Sequence, residues 1–577
     1  SLDRVPCPFI KSDIPSLFDY YLNPDLKGML RTDNSFHRMK LRRNGCPRYA
    51  RFIFSVYQGK AASLAAPAWK IEKSVRDTCT RLSLDNTIED NLMTPSTLVT
   101  PEALRQEIVR TVEEVFPRLR ARPLRHRVPT RGACVDGSRQ TGGSLGYLVR
   151  HHLGYDWLPY DYLDCYFCGP NGQVRVGCSL VYDDILFAFQ TCRRLAWQND
   201  VVDCVPVGLP EPFKVRVITK GDMSSYHLAR CWQPLIWETM KQHPVFRLTG
   251  EPVSLAAVRQ ITHDMDPDKD WLISGDYKEA TDHIPSEFGE LILETICERL
   301  SIPFADRPAL IRALTRHKMI LPSGEEILQR SGQLMGSPIS FPVLCVYNAV
   351  LTRLAWETCV GNRRTSLLED IPMLVNGDDL LIAGDLSFFC NWKRMVKWGG
   401  LIPSVGKTLV SKKYGTINST LFRFTQERNL DTSWIKPSHL RHTQLQLAIG
   451  SMKSGHVELG TGRETSSLSP ISRSRMWEEF MESCEYKEKG WKFLWGVNVR
   501  YLASLLRDYP TAPLCLPVTA GGLGFPLPPS SSPYHSLRLP GTRSLLVARM
   551  LLAADTESHA LLSREWKMSL YENDSSE

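Results

Sequence analysis

The sequence predicts an α+β protein in which short strands ending in carboxylates alternate with helices. Three observations carry that prediction. Apolar runs at Ile371-Pro372-Met373-Leu374-Val375 and Leu380-Leu381-Ile382-Ala383 flank Asn376-Gly377-Asp378-Asp379, the pattern of a hairpin with two adjacent carboxylates at its tip. A second short strand, Trp271 to Asp276, also ends in a carboxylate. Phe288, Leu291, Ile292, Ile296 and Leu300 then recur at helical spacing.

The remaining elements follow in order. The first 135 residues read as basic and irregular, with one helix at Glu102 to Val115. Gly137 to Gly146 is rich in Gly, Ser and Thr and reads as a loop. Phe213 to Lys220 alternates apolar and polar residues like a strand. Lys318 to Gln329, centred on Pro322-Ser323-Gly324, suggests a hairpin. Ser340 to Trp356 and Leu386 to Trp398 read as helices, and Tyr414 to Phe422 as a further strand or hairpin. Pro526 to Pro540 reads as irregular, and Ser544 to Trp566 as helical.

Composition narrows the class. A chain of 577 residues, 43% hydrophobic and 23% charged, can bury a large core as a globular protein. Net charge is only +8, so its distribution matters more than its size. No acidic residue occurs from Asn34 to Ile71 or from Val115 to Val135, while arginines cluster in both stretches. Such segments suit a phosphate backbone. The sixteen cysteines show no disulfide framework and read as reduced thiols in an intracellular setting. Cys165 and Cys168 form a single CxxC, and no second one completes a zinc pattern. No run of eighteen apolar residues predicts a membrane span, and no secretory signal pattern opens the sequence as given.

The chemistry centres on the paired carboxylates. Adjacent like charges repel, so keeping both ionised calls for a cation. Mg²⁺ fits, because it takes carboxylate oxygens and leaves room for water or substrate phosphates. A second pair, Asp183-Asp184, is set aside as helical or surface residues, since no strand-ending Asp and glycine-rich loop precede it.

Around Asp378 the segments arrive in a consistent order. Ser274-Gly275-Asp276-Tyr277-Lys278-Glu279-Ala280-Thr281-Asp282 comes first. Ser331-Gly332-Gln333-Leu334-Met335-Gly336-Ser337-Pro338-Ile339-Ser340-Phe341 leads a glycine-rich loop into a helix. Gly377-Asp378-Asp379, Gly399 to Thr408 and Tyr414 to Phe422 follow. This order resembles motifs A to E of viral RNA-dependent RNA polymerases. The wording is most similar to the ourmia-like and narna-like (botourmiavirus-related) group, and more distantly to levivirus replicases. The resemblance covers about residues 210 to 425, and Leu516 to Phe525 resembles a signature of the group's thumb.

The resemblance implies a right-hand fold of fingers, palm and thumb with an antiparallel palm sheet. It divides the chain into a basic N-terminal region joining the fingers (1–135), fingers (136–230, motif F at 214–220), a first palm segment (231–285), a fingers insertion (286–330), a second palm segment (331–425) and a thumb with C-terminal tail (426–577). It also implies roles. Asp276 and Asp378, assisted by Asp379, would bind Mg²⁺, with Mn²⁺ as a substitute. Lys407 would protonate pyrophosphate or offset its charge. Lys214, Arg216 and Lys220 would line a triphosphate channel. Asp282, Ser340 and Asn348 would sense the ribose 2′-hydroxyl, which separates RNA from DNA precursors. Leu344 stands where some plus-strand polymerases carry Asn. Gly332, Gly336 and Ser337 would approach the template, and Gly142-Gly143-Ser144 would correspond to motif G.

The function so implied is replication of a viral RNA genome from ribonucleoside triphosphates. Template and product RNA are the expected partners, the sequence names no protein partner, and the expected place of work is the host cytoplasm or a mitochondrion. Two alternatives stand beside it. A reverse transcriptase would carry Tyr-x-Asp-Asp, where this chain has Asn376-Gly377 before its aspartates. A non-catalytic RNA-binding protein would not need the metal ligands.

Overall fold

In a computed structural model, the described residues lie mostly between 68 and 527, together with 47, 50, 51, 54 and 55. Residues 1–46, 153–164, 361–366, 405–407, 451–469, 531–577 and some shorter stretches lie outside the description, and with them the expected helix at 544–566. The chain forms two compact units. One comprises residues 1–50 and 65–440, the other 51–64 and 441–577.

The first unit is mixed α and β, and its central sheet is antiparallel as expected. Its four strands stand in the order Met373–Asn376, Asp379–Gly384, Trp271–Gly275, Leu409–Ser411. These strands are mostly apolar because both faces are covered, the polar exceptions being Ser274, Asn376, Asp379 and Ser411. Ile273, Val375, Leu380 and Ile382 face a large core shared with helices Pro101–Val115, Ser286–Arg299, Ser340–Val360 and Leu386–Trp398. Leu272, Leu374, Leu381 and Ala383 face a second core with helix Leu255–Thr262 and residues Ile417, Phe422 and Phe424. The latter three come from an antiparallel sheet of Tyr414–Ile417, Thr420–Arg428 and Ser433–His439. A second four-stranded sheet joins the hairpin Val202–Glu211/Lys214–Lys220 to the expected hairpin His317–Ile320/Glu326–Leu328, through one parallel pair.

Local chemistry sets the element ends. Thr100 caps the Pro101–Val115 helix by accepting from Ala103 N, and Pro101 needs no donor there. Asp385 caps Leu386–Trp398 through Phe388 N at 2.7 Å. Two segments differ from the sequence reading. Helix Ala68–Ser83 lies inside the stretch read as irregular, and buries Val75, Cys79 and Leu82 at helical spacing. The segment read as a loop at 137–146 becomes a 3-10 turn, Arg139–Thr141, and then a helix from Gly143. The set-aside pair Asp183-Asp184 lies in helix Tyr182–Gln198, in line with its helical reading.

A buried charge network ties two helices of the large core. Arg353 is fully buried and reaches Glu107 at 3.0 Å, Glu114 at 2.6 Å and Glu357 at 3.4 Å. Arg110 closes it, 3.0 Å from Glu357 and 3.1 Å from Glu107.

The second unit is helical. Pro470–Ser483, Lys487–Val497 and Val499–Asp508 pack around Trp477, Phe480, Leu494, Leu502 and Phe525. Its early segment is bound in by Ser55, whose Oγ accepts from Thr443 N at 3.0 Å. Among the described residues no helix is long and apolar enough to cross a membrane.

Candidate active site

Strand register brings the expected carboxylates to one end of the central sheet. Leu380 pairs with Gly275, so Asp379 and Asp276 are the next residues toward the same end. Asn376 pairs with Asp379, which leaves Gly377-Asp378 as a two-residue turn beside them. Gly377 has φ 68, and a Cβ there would lie 2.9 Å from the Phe341 ring. Only glycine meets both conditions without strain.

Sequence reasoning missed how the turn is braced. Asn348 is fully buried. Its Oδ1 accepts from the Tyr277 hydroxyl at 2.8 Å, and its Nδ2 donates to Gly377 O at 3.1 Å. One side chain thus links the residue after Asp276 to the residue before Asp378. Cys345 supplies a second brace, since its sulfur accepts from Gly377 N at 3.1 Å. Burial pushes this thiol up to about 12, so it stays protonated. Asp379 is tied elsewhere: its Oδ2 accepts from Asn418 N at 3.2 Å, and Asn376 donates to Asn418 Oδ1 at 2.9 Å. The strand pair Tyr277–Lys278/Ile402–Pro403 closes this side, with Ser404 N donating to Asp276 O at 2.8 Å.

The glycine-rich loop lies against two of the other segments. Gly332 N donates to Ile284 O at 2.9 Å and Gln333 N to Thr281 O at 2.7 Å. Ser340, at the helix start, donates to Gln333 Oε1 at 3.0 Å. A Cβ on Gly336 would meet Thr219 O at 2.1 Å, so the loop touches the strand that carries Arg216 and Lys220. Lys220, Gly336 and Ser144 line one small polar cavity with Arg230 and the buried Asp222. The expected motif F, B and G residues therefore meet.

Asp282 is placed in the 3-10 turn Ala280–His283 rather than at a helix head. Burial pushes its carboxyl up, and Arg81, 2.9 Å away, pulls it down. Arg81 comes from the helix missed in the sequence. Lys407 lies outside the described residues, as does the side chain of Lys214. Cys165 and Cys168 stand on the strand Cys165–Cys168, and their side chains also lie outside the description.

The donor chemistry suits a hard divalent cation. Asp276 and Asp378 would offer oxygen ligands, and Mg²⁺ needs only one or two carboxylates when phosphates and water complete its shell. Among the described residues no three His, Cys, Asp or Glu side chains close around one point. The remaining ligands would therefore come from substrate and solvent.

No protein-family model matches the sequence. The chain is 28% identical over 531 residues to the RNA-dependent RNA polymerase of Ourmia melon virus (isolate Melon/Iran/VE9), covering 83% of this chain and 56% of that protein. It is 24% identical over 303 residues to the RNA-directed RNA polymerase of Saccharomyces 23S RNA narnavirus, covering 50% of this chain and 31% of that protein. The chain thus spans about half the length of the first relative and less of the second. Among solved structures, the RNA-dependent RNA polymerase of a human picorbirnavirus aligns over 88% of both chains, at 15% identity and a TM-score of 0.49. Its insertion-loop deletion mutant gives 0.47. By sequence, the chain is similar to the RNA polymerases of Ourmia melon virus and Saccharomyces 23S RNA narnavirus.

Proposed function

We propose that this chain is a template-directed RNA polymerase that replicates a viral RNA genome. One observation carries the reading: the register that sets Asp276 beside the Gly377-Asp378-Asp379 turn, in a chain whose relatives are named as such polymerases. Asp276 and Asp378 hold the metal ions, Mg²⁺ or in its place Mn²⁺. Metal ions held there would supply activation of the primer 3′-hydroxyl and charge neutralisation of the leaving pyrophosphate. Asp379 fixes the turn through Asn418 and contributes charge. Lys407 offsets or protonates the pyrophosphate. Lys214, Arg216 and Lys220 guide the triphosphate, as alternate basic residues of one strand can. Asp282 and Ser340 serve the sugar, and the loop of Gly332, Gly336 and Ser337 lies along the template.

In this reading residues 136–230 and 286–330 serve as fingers, 231–285 and 331–425 as palm, and the chain from 426 as thumb. RNA and ribonucleoside triphosphates are the partners, and the host cytoplasm is the place of work. The test is extension of a primed RNA template with Mg²⁺ and labelled nucleotides. Wild-type protein should extend with ribonucleotides. Asp378→Ala should lose at least ~10²-fold, the scale of one lost transition-state stabiliser. Near-normal extension by that variant refutes the assignment. Strong use of deoxyribonucleotides would point to a reverse transcriptase instead.

A further inference from the structure

Sugar sensing by Asp282 rests on the reading above, and the fold supplies this carboxylate with a partner from far away in sequence. Arg81 Nη2 lies 2.9 Å from Asp282 Oδ2, 3.4 Å from Glu279 Oε2 and 3.0 Å from Thr78 Oγ1. The Asp282 side chain is 11% exposed. Its Oδ1 accepts from Thr281 Oγ1 at 3.3 Å and retains a lone pair, because a carboxylate offers about four acceptor sites. The helix bearing Arg81 is itself fixed. Leu82 O accepts from Arg330 N at 2.8 Å and from Ser331 N at 3.0 Å. A Cβ on Gly332 would meet the Leu82 side chain at 2.5 Å and Asp282 O at 2.7 Å. One helix end therefore clamps both the Asp282 turn and the glycine-rich loop.

We propose that Arg81 is a positioning residue for ribose selection: it holds the Asp282 carboxylate in one orientation, with Oδ1 left to accept a hydrogen bond from a 2′-hydroxyl. Arg81 meets the carboxylate through Nη2, which Thr78 and Glu279 hold in place beside it. Among the described residues the other charged or titratable groups facing Asp282 are Glu279, His283 and the buried Cys79, and Arg81 is the cation that meets it directly. Without Arg81, Glu279 repels the carboxylate and burial favours its neutral form.

The test compares kcat/KM for one ribonucleotide and its deoxy analogue in primed extension. Arg81→Gln should lower the ribo-to-deoxy ratio at least ~10-fold, mainly through KM for the ribonucleotide, because the lost contact touches only the 2′-hydroxyl. Asp282→Asn should lower it similarly, and the double variant should add little, as for residues that act as a unit. In Arg81→Gln the ratio should fall further as pH drops from 8 to 6, whereas the wild type stays flatter. Arg81→Lys should fall between, and it reads the same ratio if Arg81→Gln does not fold. An equal loss for both sugars, with the ratio unchanged, overturns the proposal while leaving the polymerase reading intact. A wild-type protein that incorporates no nucleotide overturns that reading, and this one with it.

Discussion

Asn348 shows how a residue's type can be legible while its task is not. The sequence places it on one helical face with Ser340 and suggests a hand in nucleotide binding. In the fold both ends of its amide are engaged, by the Tyr277 hydroxyl and by Gly377 O. It joins the two carboxylate-bearing segments from behind. Asn348→Leu should therefore leave two buried groups unsatisfied, at a cost of roughly 1–3 kcal/mol each. Equilibrium denaturation should show that loss. Extension kinetics should show a fall in kcat of at least ~10-fold, with KM for the nucleotide changed little, because a misplaced carboxylate weakens the transition state rather than ground-state binding. A rise in KM at unchanged kcat would return Asn348 to the nucleotide site. The aspartates themselves were readable because their types, order and flanking apolar runs are local. Their partners were not, since Arg81, Cys345 and Asn418 carry no local mark and reach the site only through tertiary packing.

Elements with strong periodicity or clear punctuation were legible. Helices Pro101–Val115, Ser286–Arg299, Ser340–Val360 and Leu386–Trp398 lie over segments that read as helical, and the hairpin at 317–328 turns where Pro322-Ser323-Gly324 stands. Helix Ala68–Ser83 escaped because its few buried positions sit in a basic, charge-rich stretch. The turn at 137–146 escaped for another reason: its glycines suit a loop, yet Gly143 at φ 58 opens a helix from the left-handed region. The Arg353 network could not be read from sequence, since its members are drawn from two helices far apart in the chain. It makes a sharp energetic forecast. Arg353→Met should destabilise the protein by up to roughly 3–5 kcal/mol, because it leaves buried Glu107 and Glu357 and half-buried Glu114 to share Arg110 alone. Chemical denaturation would measure this. A loss under about 1 kcal/mol would mean that the network relaxes into solvent, as exposed ion pairs do.

At the scale of the whole molecule, the antiparallel α+β character was readable, and the extent of each core was not. The two-sided burial of the central sheet explains its mostly apolar strands. Buried histidines give the fold a pH dependence. Burial lowers His227, His243 and His317 to about 4, from an ordinary value near 6.5. Between those values the unfolded chain binds more protons than the folded one, so their contribution to stability falls as pH drops through that window. Buried Asp222, Asp282 and Glu107 are shifted upward and act in the opposite sense. The histidine term is therefore best read as a difference. His317 sits 2.8 Å from Gln329 Oε1. His317→Gln should be less stable than the parent at pH 7, and the gap should narrow by up to about 3 kcal/mol toward pH 4. Urea midpoints at several pH values would show it, and a constant gap would mean that His317 takes up its proton in the fold over the same pH range as in the unfolded chain. The Arg353 cluster also bears on how such a chain can change over generations. Its five charges, two positive and three negative, hold one another as a set, so replacing one leaves another poorly compensated in the core. A lineage could redesign this helix pair only by several coordinated substitutions, or by passing through a poorly folding intermediate. The cluster should therefore be inherited or lost as a block.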